Sequence, residues 1–177
     1  MTPRLQQWFE RLERQKRLVL SDLSRWSESA IRYRPEPAAW SAMDVVDHLV
    51  KVEKASLEGI HSQLPNGIPL TFKDRIGGLL VISVMKSPMR IKVPASVSMV
   101  LPESTPDQAA IARHWDEVRA EMGDLLRSLK PSQLRCGLFQ HPVSGWMTMP
   151  QAMAFLSAHL RHHGYQLRRL KNSTRGL

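Results

Sequence analysis

Residues 148–171 read TMPQAMAFLSAHLRHHGYQLRRLK, and their spacing decides the fold class. At about 100° per residue, Ala152, Phe155, Leu156, His159, His163, Gln166, Leu167 and Leu170 share one helix face, while Arg161, Arg168 and Lys171 share the other. Thr148 with Gln151 forms a capping box and Pro150 sits in the first turn, so a long helix begins at Thr148 and runs to about Lys171. Within it, His159 and His163 stand side by side at i and i+4 in an otherwise apolar stripe. An uncompensated imidazole facing the interior is costly, so the protein interior must satisfy both rings. The pair has the spacing that suits one transition-metal ion.

Working outward, the same period recurs three more times. Thr2-Pro3 is an N-cap with proline at the first helical position, and Leu5, Trp8, Phe9, Leu12, Val19, Leu23, Trp26 and Ala30 keep helical spacing to about Tyr33, where Pro35 and Pro37 end the helix. Ser41 and Asp44 open a second helix that runs to about Gln63. Thr105-Pro106-Asp107 opens a third, carried by Ile111, Trp115, Val118, Met122, Leu125 and Leu129 and stopped by Pro131. Between the second and third lie a shorter helix over residues 72–86, with an awkward Gly77-Gly78, and a proline-punctuated connection over 87–104. Arg90-Ile91-Lys92-Val93 alternates, but over too few residues to build a sheet, and no regular strand is expected. The consistent reading is all-α: an antiparallel four-helix bundle with a long crossover between helices 2 and 3 and a short extra helix. One domain fills residues 1–177, with about 172–177 a frayed tail.

A third histidine has the character of the first two. Val45, Leu49, Val52 and Ser56 form the inward stripe of the second helix, and His48 lies within it while Asp47, Lys51 and Lys54 face away. Three inward histidines on two helices make a facial set of nitrogen ligands that leaves positions open for water or substrate. His162 lies at the edge of the stripe, about 100° from His163, and is not expected to be a ligand. No Glu follows His159, which disfavours a zincin-type protease. Gln166 is one turn below His163, placed either to bond a ligand ring or simply to end the stripe. Asp44 suits capping better than it suits holding His48. Glu53 is rotated off the His48 face and fits a salt bridge to a neighbouring helix. Gly164 is expected to admit close approach of a neighbouring helix, and His141-Pro142-Val143-Ser144-Gly145-Trp146 reads as a turn-rich loop just before the last helix, a structural turn more readily than part of a substrate entrance.

Trp40-Ser41 with Val45-Val46-Asp47-His48-Leu49 and Glu53 resembles the second-helix motif of the DinB-like superfamily, the DinB/YfiT-type metalloenzymes. His141-Pro142, Gly145, Thr148 and then His159, His163, Gln166 and Leu167 resemble its fourth-helix motif in type, order and distance. The likeness spans roughly residues 5–172 and is weakest between about 65 and 105. It implies an antiparallel four-helix bundle carrying a divalent metal on a histidine triad, here His48, His159 and His163, and relatives that include thiol-dependent transferases and isomerases.

The chain has 25 Lys and Arg against 16 Asp and Glu, a formal net charge of +9. These charges are dispersed along the helices rather than gathered in a run, which argues against a nucleic-acid partner. No stretch is apolar enough for a signal region or a membrane span, so no membrane partner is expected. Cys136 is the only cysteine and is read as inert, consistent with a reducing cytoplasm. The leading expectation is a Zn²⁺- or Ni²⁺-dependent enzyme, a hydrolase or a low-molecular-weight-thiol transferase, acting on a small molecule. Assembly as a homodimer is left open. The competing reading is a non-catalytic, stress-related bundle that binds a small ligand or a partner protein.

Overall fold

Leu5 donates its amide to Thr2 Oγ1, Pro3 occupies the first turn, and helix α1 (Pro3–Leu23) follows. The computed structural model describes residues 1–89, 100–102 and 107–174. The first helix stops ten residues short of the expected Tyr33, and a separate short helix α2 (Glu28–Arg32) takes over. Serines cause the break. Ser24 Oγ donates back to the Ser21 carbonyl at 3.1 Å, and Ser27 Oγ accepts from the Ala30 amide at 3.2 Å, giving the backbone local partners that compete with a continuous helix. The apolar stripe survives because Trp26 still packs on the core and Ala30 and Ile31 remain buried.

The second long helix is α3 (Ala42–Gln63), and its capping box is complete: Asp44 donates its amide to Ser41 Oγ while its carboxylate accepts from the Ser41 amide. That carboxylate also pairs with Arg34 at 2.9 Å, so Asp44 caps and anchors, as its position in the first turn suggested. Helix α4 (Phe72–Met85) starts with a second capping box, Thr71 and Asp74. Helices α5 (Gln108–Ser128) and α6 (Met149–Ser173) complete the set. Because α6 reaches Ser173, Asn172 and Ser173 are helical rather than frayed. The alternating residues Arg90–Val93 and the expected Thr105 cap lie outside the described residues.

Side-chain pairings give the helix directions. Glu13 and Lys16 of α1 meet Arg119 and Asp116 of α5 in reverse order, so these two run antiparallel. Glu53 and His61 of α3 meet Arg119 and Glu121 of α5 in the same order, which only a long crossover between α3 and α5 permits. Helix α1 likewise runs alongside α6, with Gln15 on Ser157 and Lys171 on Asp22. At the centre, the buried Arg119 guanidinium donates to both carboxylate oxygens of Glu53 at 2.6 and 2.7 Å, and the Trp115 indole donates to one of them at 2.9 Å. Glu53 thus forms the interhelical salt bridge its rotation off the His48 face suggested.

Sequence reading saw no strand, but the structure has a hairpin between α5 and α6. Strand β1 (Phe139–His141) pairs antiparallel with β2 (Gly145–Met147), in the register Phe139 to Met147 and His141 to Gly145. Strands of three residues are too short for alternation to register. Gly145 turns the chain with φ +81°, and a Cβ there would collide with the Asp74 carboxylate. The awkward Gly77 has the matching reason: its missing side chain lets α4 rest on the turn, where a Cβ would sit 2.6 Å from the Ser144 carbonyl oxygen. Gly164 has no such role. Nothing lies within 4 Å of where its Cβ would be, so the expected close approach of a neighbouring helix does not occur.

Candidate metal centre

His48 occupies the inner face of α3, and His159 and His163 occupy successive turns of the inner face of α6. All three are buried, and one ring nitrogen from each lies within 4.8 Å of the others. Among the described residues this is the one cluster with the geometry to hold a metal ion. The Nε2 atoms of His48 and His163 stand 3.3 and 3.1 Å from Nε2 of His159.

The opposite edge of each outer ring settles its proton. His48 Nδ1 donates to the Val100 carbonyl at 2.8 Å, and His163 Nδ1 donates to Gln166 Oε1 at 2.9 Å. Both Nε2 atoms therefore present lone pairs toward His159. Burial holds all three rings neutral. It lowers the pKa of His48, depresses that of His159 well below the usual histidine value with help from the neighbouring imidazoles, and brings His163 down to about 3. A neutral His159 has one proton at most to offer from Nε2, so it cannot donate to both neighbours. At least one close nitrogen pair then sets lone pair against lone pair, an arrangement that a shared cation relieves. The spacing agrees: two imidazole nitrogens bound to one tetrahedral zinc at 2.0–2.1 Å stand about 3.3 Å apart. The residues present fit a metal.

Aromatic packing fixes the rings further. Trp40, two residues before α3, lies over His48 at 4.8 Å between centroids and stacks on His163 at 6.2 Å. Phe155, one turn before His159 on α6, stacks on it at 5.7 Å. His162 turns aside, its Nδ1 3.4 Å from the Ser87 carbonyl. Cys136 donates weakly to the Ser132 carbonyl at 3.6 Å and is remote in the chain from every lining residue of α3 and α6.

The triad opens into a cavity of about 610 Å³ bounded by α3, α4, the hairpin and α6. Its lining includes His141 and Ser144 from the hairpin, so the loop that read more readily as a structural turn than as a substrate entrance is part of the site wall. Among the described residues, no Asp, Glu, Lys or Arg lines the cavity. Sequence reasoning missed the orienting role of Val100, 52 residues from His48 and without any local signal. It also missed Trp40 as a packing partner, although Trp40-Ser41 was visible immediately before the second helix.

The fold and the histidine cluster together define a family. The chain belongs to the DinB superfamily, whose model matches residues 11–167. Among solved structures it is similar to YfiT from Bacillus subtilis, described as a probable metal-dependent hydrolase with an unusual four-helix bundle topology; the two share 17% identity over 95% of this chain and 86% of that one, with a TM-score of 0.58. Comparison with curated protein sequences finds no match. Among the described residues, no helix is long and apolar enough to cross a membrane.

Proposed function

We propose that this protein is a divalent-metal-dependent enzyme in which His48, His159 and His163 hold Zn²⁺ or Ni²⁺, and that it hydrolyses a small molecule bound in the adjoining cavity. The observation that carries this reading is the set of Nε2 lone pairs turned on one point by acceptors behind the outer rings. Such a bound metal supplies Lewis acidity and lowers the pKa of a bound water or thiol. The protein's own contribution is orientation. Val100 and Gln166 hold the outer rings in one tautomer, Trp40 and Phe155 block ring rotation, and the mostly apolar cavity opens beside the triad. Hydrolysis leads because the similar Bacillus subtilis structure carries that description. Transfer to a low-molecular-weight thiol is the variant that the family resemblance supports, and a reducing cytoplasm would suit it.

The test is the metal content of freshly purified protein. The proposal expects close to one equivalent of zinc or nickel, removed by a chelator and restored by the ion, with His163→Ala protein holding none. Wild-type protein that remains metal-free after incubation with either ion would refute it.

A further inference from the structure

His141 and Ser144 stand at the hairpin end of the cavity, and neither takes part in the triad. The amides of Val143 and Ser144 both donate to Nδ1 of His141 at 3.2 Å. A ring nitrogen that accepts two amide hydrogens is unprotonated, so the proton of this neutral ring sits on Nε2. The ring edge packs on Phe155 at 4.7 Å between centroids, and Phe155 in turn stacks on His159 and on Phe139. His141 is buried, and burial brings its pKa down to about 4, so it stays a neutral donor across the physiological range. Ser144 lines the same cavity, and its Oγ is buried with no hydrogen-bond partner among the described residues. A buried hydroxyl left without a partner is costly and calls for an explanation. The rest of the described wall is mostly apolar, with Ala55, Val81, Val84, Met85, Phe139 and Phe155 beside the uncharged Ser56, Gln140 and His162.

We infer that His141 Nε2–H and the Ser144 hydroxyl bind an oxygen of the ligand, and that the substrate class is an apolar chain bearing a carbonyl or carboxylate group. This deepens the metal reading and rests on it for the reaction, though not for the binding. The ring offers a donor and no acceptor, so it selects an oxygen with free lone pairs. Among the described residues no lining side chain carries a formal positive charge, so specificity for the remainder of the ligand comes chiefly from apolar contact, and the volume suits a chain of drug-like size rather than a two-carbon acid. His141 acts on the ligand directly, whereas the Val143 and Ser144 amides act only by fixing its tautomer.

The experiment uses full-length zinc-loaded protein with octanoate as the probe, titrated calorimetrically, and acetate as the short-chain control. His141→Asn keeps an oxygen for the turn amides and withdraws the Nε2 donor. Ser144→Ala leaves the backbone donors in place. Octanoate is expected to bind at least tenfold more tightly than acetate, His141→Asn to weaken it tenfold or more, and Ser144→Ala to weaken it several-fold, with zinc affinity in both variants within twofold of wild type. Nitrogen-15 imidazole spectra of metal-free protein should show His141 as the Nε2–H tautomer. Absence of octanoate binding, equal binding of acetate, an Nδ1–H tautomer, or unchanged affinity in both variants would each overturn the inference. If His141→Asn fails to fold, Ser144→Ala and the spectrum decide. Octanoate binding to metal-free protein that depends on both residues, in a wild-type protein that takes up no zinc, would uphold this inference while sinking the metal reading.

Discussion

Gln166 Oε1 stands 2.9 Å from Nδ1 of His163, three residues earlier on the same helix, and this contact decides which face of the imidazole is free to bind. By accepting the Nδ1 proton, the amide oxygen leaves the Nε2 lone pair aimed at His159. Gln166→Leu removes the acceptor and frees the ring to take the other tautomer. Partners of this kind are worth about 10- to 100-fold in metal affinity, so the variant should bind zinc weaker by that factor while melting near wild type. Competition against a chromophoric chelator measures it, and unchanged affinity would show that the contact is incidental.

Metal binding to the folded chain alone must raise its stability by mass action, by about 2.7 kcal/mol at an ion concentration 100 times the dissociation constant. Zn²⁺ or Ni²⁺ should therefore raise the melting temperature, and His163→Ala should abolish the increment. Protons compete only where the folded ligands take them up. Because the His163 pKa is held down to about 3, the increment should persist at pH 5, below the ordinary histidine value, and fade toward pH 3. An equal rise in the His163→Ala protein would place the ion elsewhere, for instance at His141 or His162.

The bundle was legible because its determinants are local and repeated. Thr2-Pro3, Ser41 with Asp44, and Thr148 with Gln151 announce helix starts within four residues, and the stripes between them repeat over five turns or more. The triad was legible for the same reason: His159 and His163 are helical neighbours, and His48 shares a stripe with Val45, Leu49 and Val52. What escaped depends on distant partners or on very short elements. The break at Ser24 keeps the stripe in phase and so hides itself. The hairpin is three residues a side, and its turn is set by Gly145 meeting Asp74 of another helix. His141 sits in a loop that the sequence leaves between a structural turn and a substrate entrance, and only the hairpin's packing against α3 and α6 makes it part of the cavity wall.

Acid should unfold the metal-free protein progressively. Burial lowers the His141 pKa to about 4 and that of His163 to about 3. Below the unfolded value near 6.5 the unfolded chain takes up protons that the folded chain refuses, so the unfolded state gains. Stability is complete above 6.5, falls as pH drops through 6 and 5, and levels off only below the folded values. His141 alone should account for a loss on the order of 3 kcal/mol, and His141→Asn should flatten part of the slope. Urea unfolding at intervals between pH 7 and pH 4 reads this directly; a flat profile would mean that these rings are not buried neutral.

The Glu53–Arg119 pair should punish the loss of one partner more than the loss of both charges. Both groups are buried, and Glu53 also accepts from the Trp115 indole. Arg119→Met leaves a carboxylate stranded in the core and should cost roughly 3–5 kcal/mol. Adding Glu53→Gln removes that charge and keeps an oxygen for Trp115, so the double variant should recover most of the loss. Denaturant midpoints of the two proteins test this, and a double variant no more stable than the single one would count against it.

The net charge of +9 should not amount to a nucleic-acid site. Several phosphates must be neutralised together for tight sequence-independent binding, which needs cations gathered on one surface. Here several of them are paired where they stand. Asp22 takes both Arg25 and Lys171, Glu28 takes Arg32, Asp116 and Glu13 share Lys16, and Asp124 takes Arg127. Each pair lowers the local potential that a phosphate would meet, and the pairs lie on several helices rather than along one groove. Duplex DNA should accordingly bind at about 10⁻⁴ M or more weakly at physiological salt, the loose end of non-specific association. Fluorescence anisotropy across a salt series measures it. Submicromolar binding that survives 200 mM salt would reverse this conclusion, and would require a concentrated basic surface that the paired side chains of α1, α5 and α6 do not supply.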